Sequence, residues 1–274
     1  MDMTARAADG TEARAIDEGG GPPILVLHPG LDDGASWARV AALLAPRHRV
    51  VRVHRRRYRP DLTGPPCTVA QEVEHVLAVA SAVGGPMVVA GHSSGAVVAL
   101  EALVAAPSLF AGAVLYEPPL VIGPPLGGPD GAVHRRARAA IAAGRPGRAM
   151  RIFTRDTVRL PGWAALLVGL FVPLVPRMRA LAPGQVEDNA ALDDLGVRLD
   201  AYAGIDVPVV LLGGDRSPAH LGERLDALAR VLPRAERVIM RGQGHAAHTK
   251  APDQVAAVIG TLAAKVLPAR DPRA

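Results

Sequence analysis

A serine between glycines marks the first chemistry in this 274-residue sequence. Residues 91–95 read GHSSG, directly after the apolar segment PMVVA, and the helical segment SGAVVALEALVAA follows from Ser94. This context indicates a nucleophile elbow, in which small neighbours let a serine occupy a strained turn with its Oγ clear of the sheet. Ser93 is therefore the predicted nucleophile, and the backbone N–H of Ser94 is predicted to face the developing oxyanion.

An alternation of apolar and helical segments predicts the elements that position Ser93. Short, nearly continuous apolar segments are typical of strands buried on both faces, and single helices between them predict a doubly wound, mostly parallel sheet with right-handed crossovers. Ser36, Thr68 and Ser217 are typical helix caps. The predicted strands are Ile24–Leu27, Val50–Val53, Met87–Ala90, Ala113–Tyr116, Val207–Leu212 and Arg237–Met240. The predicted helices are Ser36–Leu44, Val69–Val83, Ser94–Ala105, Leu221–Val231 and Pro252–Val266.

The alternation stops between Pro118 and Gly204, where helical periodicity is interrupted by many prolines and glycines. We interpret residues 118–204 as a helical insertion into an α/β core formed by residues 1–117 and 205–274. A basic helix is expected near residues 133–143. The longest apolar run, Ala164–Val175, is shorter than the roughly 18 to 20 residues that span a bilayer and contains Pro173.

Composition excludes several classes of protein. With 49% hydrophobic and 21% charged residues, the chain is not intrinsically disordered. Cys67 is the only cysteine, which excludes an internal disulfide and a zinc site of paired cysteines. The formal charge of +5 comes almost entirely from arginine, which fits base composition as well as nucleic-acid binding. We expect a cytoplasmic protein without a secretory signal, metal, nucleic-acid or membrane partner, acting as a monomer or a homodimer.

Several segments resemble the α/β-hydrolase superfamily, and the resemblance covers nearly the whole chain. ILVLHPGLDDGASW is similar to the family's strand that ends in His-Gly, and RVVRVHRRRYR to the strand that follows it. FAGAVLYEPP resembles the strand after the elbow helix. VPVVLLGGDRSP and VIMRGQGHAAH resemble the late strands that deliver the acid and the histidine. The implied fold is the α/β-hydrolase type with an inserted helical cap.

The resemblance also implies the partners of Ser93. His245, in a glycine-rich loop near the C-terminus, is the implied base; His248 is weighed as an alternative but is interpreted as a supporting or surface residue. Two carboxylates compete for the acid. Asp215 follows the penultimate strand, which is the commoner location, and Glu117 ends the strand after the elbow helix. Glu117 is favoured, because burying it at a strand end without a partner would be costly.

The oxyanion loop departs from the family pattern. Pro29 stands where the family has glycine and has no N–H, so Gly30 is the implied first donor, ahead of Leu31, with Ser94 as the second. His54 replaces an acidic residue, and a basic run replaces the usual glycine-rich turn. That run either steers an anionic substrate or, as we favour, forms a solvated loop. The run contains Arg55, Arg56, Arg57 and Arg59.

Apolar residues of the insertion are candidates for a substrate pocket. Most are interpreted as the core of the cap, and two or three are expected to face substrate. These residues are Trp163, Leu166, Leu167, Leu170, Phe171 and Leu174. The substrate-binding candidates of the whole chain are Leu31, His92, Trp163, Leu167 and Phe171.

The sequence predicts a cofactor-independent serine hydrolase, an esterase that acts on a small or medium apolar ester or acyl compound through an acyl-enzyme at Ser93. Two alternatives stay open. One is a non-hydrolytic enzyme of the same fold, such as a cyclase, a lyase or a cofactor-free haloperoxidase. The other is a ligand receptor without turnover, against which the intact serine and histidine weigh.

Overall fold

A computed structural model describes residues 1–62 and 66–268, which form one eight-stranded sheet flanked by helices. The strand order is β1-β2-β4-β3-β5-β6-β7-β8, in which β3 to β8 run parallel and β2 pairs antiparallel with both β1 and β4. The strands are β1 Asp2–Arg6, β2 Glu12–Gly19, β3 Pro23–Leu27, β4 Arg49–His54, β5 Met87–His92, β6 Phe110–Tyr116, β7 Val209–Gly214 and β8 Ala235–Met240.

Eleven α-helices lie in the described residues, and five of them fall between β6 and β7. The core helices are α1 Ala38–Leu44, α2 Val69–Val83, α3 Ser94–Ala105, α9 Ala219–Val231, α10 Ala247–Lys250 and α11 Pro252–Val266. The helices of the insertion are α4 Ala132–Ala142, α5 Pro146–Asp156, α6 Gly162–Phe171, α7 Pro176–Leu195 and α8 Leu199–Tyr202. The predicted doubly wound sheet is confirmed, with all six predicted strands and all five predicted helices close to their predicted bounds.

The antiparallel pair β1 and β2 is absent from the sequence-based prediction. Residues 12–19, EARAIDEG, alternate between buried and exposed side chains at first, with Ala13 and Ala15 buried. Small alanines between charged residues give a weak strand signal, whereas the interior strands are continuously apolar. The hairpin therefore depends on pairing with β4 for its stability.

The interior strands bury both faces. On β3, Ile24 and Val26 point into an apolar layer with α1 and α11, whereas Leu25 and Leu27 point into a layer with α2 and α3. Fully burying each such side chain stabilises the fold by roughly 1.5–3 kcal/mol. These two layers hold the carboxyl ends of the parallel strands rigidly at one edge of the sheet.

Only one of the three predicted helix caps is confirmed. Thr68 accepts a hydrogen bond from the N–H of Gln71, whose side chain accepts one from the N–H of Thr68, so α2 begins with a capping box. Ser36 instead lies in a 3-10 helix before α1 and bonds to Asp32. Ser217 does not cap α9, because its hydroxyl is used elsewhere.

The helical insertion, residues 118–204, has its own small apolar cluster, against which Leu31 of the core packs. Its predicted lack of strands holds, apart from one isolated bridge between Val121 and Val197. Within the described residues, no single helix is long and apolar enough to cross a membrane. Gly162–Leu174 and Pro176–Leu195 pass that test only as a pair, bent by 119°. The cluster is formed by Ala137, Ala140, Ala149, Met150, Val172, Ala182 and Val186.

Candidate active site

Ser93 occupies the strained turn between β5 and α3. Its φ of 53° and ψ of −127° are rare for any residue with a side chain. Glycines make the turn possible: a Cβ on Gly91 would lie 2.6 Å from the Cα of Ala96, and a Cβ on Gly95 would collide with the carbonyl groups of Leu27 and His28. The backbone N–H of Ser93 donates to the carbonyl of Tyr116 at 2.8 Å, which fixes the turn beside the end of β6.

Glu117 and His245 meet at that strand end. The carboxylate Oε2 of Glu117 lies 2.6 Å from Nδ1 of His245, and Oε1 accepts from the N–H of Gly214 at 2.8 Å and the hydroxyl of Ser217 at 2.5 Å. Glu117 is buried and has a φ of 46°. Because the carboxylate accepts the proton on Nδ1, Nε2 is the nitrogen of His245 left to act as a base.

Asp215, the competing acid, is not brought to the histidine. It lies in an exposed loop, where its carboxylate accepts the N–H of Gly242 at 2.8 Å. The loop after β7 is therefore tied by Asp215, while the carboxylate that contacts His245 comes from the end of β6.

Tyr116 holds the loop that carries His245. Its hydroxyl donates to the carbonyl of Gly244 and accepts the N–H of Ala247 at 3.1 Å, so it bonds the backbone on both sides of the histidine. Burial raises the pKa of Tyr116 above its usual value, with a contribution from Glu117, so the hydroxyl stays protonated and remains a donor.

His92 and His248 pack around His245. The ring centroids of His92 and His245 are 4.7 Å apart, those of His92 and His248 are 4.5 Å apart, and His92 stacks on Tyr116 at 4.3 Å. Burial, then the two neighbouring histidines, lowers the pKa of His92 well below its usual value. The ring of His92 is buried and packs against His245, and its contact with substrate stays a prediction.

His248 lies on the inner side of this group. Burial lowers its pKa to about 4, and its Nε2 is 3.1 Å from the hydroxyl of Ser36. The only carboxylate that contacts a histidine of this group within the described residues is that of Glu117, on His245. His248 is a supporting residue by position, as the sequence-based interpretation favoured.

The loop after β3 faces the elbow. His28 bonds through Nδ1 to the carbonyl of Pro29 at 2.8 Å, and its Nε2 accepts the N–H of Arg55 at 3.3 Å. Burial, then Arg55, lowers the pKa of His28 to about 4, so the ring is neutral. A Cβ on Gly30 would collide with the amide of Gln185 on α7, and Leu31 has a φ of 54°.

The basic run after β4 is not a solvated loop, which corrects the sequence-based interpretation. Arg55 is fully buried: it donates to the hydroxyl of Ser94 at 2.7 Å, to Glu72 at 2.8 Å and to Asp188 at 3.0 Å. Arg57 adds contacts of 3.5 and 3.3 Å to the same two carboxylates. We call Arg55, Arg57, Glu72 and Asp188 the buried charge cluster.

Opposite charges explain why this cluster can be buried. Burial opposes the charge of Arg55, but Asp188 and Glu72 outweigh that effect and raise its pKa. Burial likewise opposes the charge of Asp188, which Arg55 and Arg57 offset so that its pKa is lowered. Because Glu72 lies on α2 and Asp188 on α7, the cluster ties the insertion to the elbow.

The other two arginines of the run are also paired with carboxylates. Arg56 contacts Asp9 at 2.6 Å, and Arg59 contacts Asp61 at 2.5 Å. His54 bonds through Nδ1 to the carbonyl of Asp33 at 3.1 Å. None of these contacts places an unpaired cation at Ser93, so the anion-steering interpretation has no support here.

The predicted pocket residues of α6 face outward. Trp163 is 69% exposed, Leu167 57% and Phe171 58%, because the inner side of α6 is already filled by small residues such as Ala165. This arrangement does not bring them into a buried pocket, and their contact with substrate stays a prediction. Leu31 remains half-buried between the elbow and the insertion.

Five supporting residues were missed from the sequence. Ser217 resembles a helix cap, and Tyr116 and Arg55 carry no local signal of their role, because their partners lie 17 to 133 residues away. Asp188 and Gln185 look like ordinary polar positions on a helix. The sequence Tyr-Glu-Pro-Pro at the end of the segment FAGAVLYEPP was the one signal that pointed to the strand end where Glu117 meets His245.

The cysteine and the carboxylate and histidine groups offer no second site of this kind in the described residues. Burial raises the pKa of the Cys67 thiol to about 11, so it is not a thiolate nucleophile. In the part of the chain that the structure describes, no group of three or more His, Cys, Asp or Glu residues is arranged to hold a metal ion.

Comparisons with known proteins identify the family and the fold. A model described as the alpha/beta hydrolase family matches residues 24–258. No curated protein matches the sequence. Among solved structures, an alpha/beta hydrolase from Sphaerobacter thermophilus is 31% identical with a TM-score of 0.83, covering 95% of this chain and 99% of that chain.

Two more distant structures share the fold. A thermophilic esterase from Thermogutta terrifontis is 19% identical with a TM-score of 0.78, covering 98% of this chain and 100% of that chain. An esterase from Rhodococcus is 21% identical with a TM-score of 0.68, covering 97% of this chain and 99% of that chain.

Proposed function

Because the chain belongs to the alpha/beta hydrolase family and is a hydrolase-type enzyme, we propose that it is a cofactor-independent serine hydrolase that cleaves a small or medium apolar ester. The observation that carries the proposal is the 2.6 Å contact between the buried carboxylate of Glu117 and His245, next to the strained turn of Ser93. Two related folds are described as esterases, which supports the choice of an ester substrate.

Acylation begins when Nε2 of His245 takes the proton of the Ser93 hydroxyl as Oγ attacks the ester carbonyl carbon. The carbonyl electron pair moves to oxygen, and the oxyanion accepts hydrogen bonds from the backbone N–H groups of Ser94 and Gly30. The imidazolium then gives its proton to the alkoxy oxygen as the carbon–oxygen bond breaks. The products of this half-reaction are an alcohol and an acyl-Ser93 ester.

Deacylation repeats these steps with water. His245 takes a proton from the water as the oxygen attacks the acyl carbon, and returns it to Oγ of Ser93 as the acid leaves. Glu117 keeps the proton of His245 on Nδ1 and stabilises the imidazolium in both halves. The proposed hydrogen bond from Oγ of Ser93 to Nε2 of His245 is of a kind that tightens when substrate binds.

The test combines a fluorophosphonate probe with a panel of p-nitrophenyl esters of increasing acyl length. We expect the probe to label Ser93, the esters to turn over, and Ser93→Ala to lose at least about 10⁴ in kcat/KM while the far-ultraviolet spectrum stays unchanged. Ser81→Ala is the matched control, because that serine is exposed on α2 and lies outside the proposed triad and the histidine group.

Each other outcome contradicts part of the proposal. Labelling of Ser94 would mean that the elbow is misassigned by one residue. Labelling without turnover would support a non-hydrolytic enzyme of the same fold, and the absence of both would support a ligand receptor.

The acid is tested by two nearly isosteric changes. Glu117→Gln should lower kcat by roughly 10⁴, because the neutral amide no longer favours the reactive tautomer and the imidazolium of His245. Asp215→Asn should have little effect, since its carboxylate bonds to the N–H of Gly242. A collapse in Asp215→Asn alone would overturn the assignment, and two mild effects would indicate a Ser-His dyad.

A further inference from the structure

Helix α6 and the turn after it expose a continuous apolar stripe. Residues 162–175 carry no charged side chain and no polar side-chain group besides the indole N–H of Trp163, and the exposed positions follow the spacing of one helix face. We call this stripe the apolar face. Its members are Trp163, Leu166, Leu167, Leu170, Phe171 and Leu174, which are 69%, 41%, 57%, 60%, 58% and 76% exposed.

The opposite side of α6 is already packed. Ala165 and Val172 are fully buried, and Gly169 lies so close to Gly147 of α5 that either glycine would have to move to accept a side chain. The insertion therefore does not need the apolar face for its own core. A patch of six large side chains that the chain itself does not cover marks an interaction surface.

Four exposed arginines lie on the elements that flank α6 in the chain and in the fold. Arg148 and Arg151 are exposed on α5, Arg159 is exposed in the loop before α6, and Arg179 is exposed on α7. We call these four residues the arginine fringe. Arg151 runs along α6 beside Gly169. Within residues 1–62 and 66–268, the arginine ion pairs of the insertion are made by residues outside the fringe: Arg136, Arg138, Arg155, Arg177 and Arg198.

The net charge of the insertion favours one of the possible binding partners of the apolar face. Over residues 118–204, eleven arginines face seven acidic residues. A second copy docked through the apolar face would bring two arginine fringes together, which like-charge repulsion disfavours. An anionic lipid surface satisfies both features, because the apolar side chains enter the acyl boundary and the guanidinium groups bond to the phosphates.

We propose that the apolar face and the arginine fringe dock the helical insertion on an anionic phospholipid surface. This differs from the expectation of no membrane partner, which rests on the length of the apolar run. A helix that lies in the interface, unlike one that spans, needs only one apolar face and a basic border. The inference is independent of the proposed hydrolysis.

The test is sedimentation of the full-length protein with vesicles of phosphatidylcholine in which about a third of the lipid is phosphatidylglycerol. We expect binding that weakens in vesicles of phosphatidylcholine alone and at high salt. Leu167→Glu with Leu170→Glu should weaken binding at least about tenfold, because two apolar side chains that enter the acyl boundary are replaced by carboxylates that the phosphates repel. Leu43→Glu is the matched control, because Leu43 is 48% exposed on α1 and should bind as the unchanged protein does.

The fringe is tested separately. Arg148→Gln with Arg151→Gln should weaken binding about fivefold for each arginine removed and reduce the preference for phosphatidylglycerol. Sedimentation velocity without lipid distinguishes the other occupant. A concentration-dependent dimer that Leu170→Glu abolishes, together with no vesicle binding, would assign the face to a second copy. Equal vesicle binding by all variants would also overturn the proposal.

Discussion

The buried charge cluster and the apolar face depart from the usual partition of side chains in opposite directions. Arg55, Arg57, Glu72 and Asp188 place four charges in the interior, whereas α6 places six large apolar side chains at the surface. Every charge of the cluster is paired, because each guanidinium contacts carboxylates of the same chain. The apolar face has no such partner within the insertion. The charges of the cluster are therefore paired within this chain, whereas the apolar face is open to contact with another surface.

The cluster also contacts two turns of the candidate active site. Arg55 bonds to the hydroxyl of Ser94 and to the carbonyl of His28 at 3.2 Å, so one side chain links the turn that carries Ser93 to the loop after β3. Buried ion pairs often contribute little net stability, because removing charges from water costs as much as pairing them returns. We interpret the cluster as a device that fixes the geometry of these two turns.

The largest expected effect is that of removing one charge from the cluster. Arg55→Met should lower the free energy of unfolding by about 3–5 kcal/mol, because Glu72 and Asp188 stay buried without their main partner. Arg56→Met, the adjacent and partly exposed arginine, should cost less than about 1 kcal/mol. Urea denaturation of both variants measures the difference. Equal costs would mean that the cluster does not differ from a surface pair.

A second prediction concerns pH and His28, which bonds to Arg55. The unfolded imidazole takes a proton below its usual pKa of 6.5, but the native ring does not until about 4. Stability is therefore complete above pH 6.5 and falls as pH drops toward 4, by about 3 kcal/mol for this residue. His28→Asn keeps a donor for the carbonyl of Pro29 and should remove that part of the fall.

The readout for His28 is a slope, so a loss of absolute stability in the variant does not affect it. Urea denaturation between pH 4 and 6.5 gives the slope for each protein. Leu167→Gln should keep the slope of the unchanged protein, since no titrating group is altered. An unchanged slope in His28→Asn would show that His28 takes up its proton at the same pH in the folded and the unfolded protein.

The third prediction concerns the packed side of α6. Gly147→Ala should cost about 1–3 kcal/mol, because the added Cβ would collide with the carbonyl of Gly169 and the ring of Pro173. Gly162→Ala is the control, because a Cβ added at Gly162 would meet no other atom. Gly144→Ala is less suitable, because the φ of Gly144 is positive. Hydrogen exchange should show the loss confined to α5 and α6. Normal protection there would contradict the close packing.

The smallest effect is expected on the other side of the same helix. Leu170→Gln should change the free energy of unfolding by no more than about 0.5 kcal/mol, because the leucine is 60% exposed. A cost of several kcal/mol in urea denaturation would mean that the apolar face is covered within the isolated protein. The comparison between the two regions would then fail.

Most of the fold could be predicted from the sequence, because the interior strands are continuously apolar and the elbow has a local pattern. GHSSG after PMVVA needs only neighbouring residues to be recognised. The β1–β2 hairpin was missed since its buried side chains are alanines among charges. Its strands are stable only through pairing with β4, which no local pattern reports.

The site was less predictable where partners are distant in sequence. Arg55 looked like part of a basic loop because Asp188 lies 133 residues away, and Ser217 looked like a helix cap because Glu117 lies 100 residues away. The apolar residues of α6 looked like pocket or core positions. Periodicity identifies which side chains share a face, but it does not tell which face is packed.

The long separation between Arg55 and Asp188 has a consequence for biosynthesis. A ribosome adds about 5–20 residues per second, so on the order of ten seconds pass between the synthesis of the arginine and that of its aspartate. During that interval Arg55 has only Glu72 as a carboxylate partner from the cluster. A nascent chain that ends before α7 therefore leaves this edge of the sheet open to chaperones and proteases.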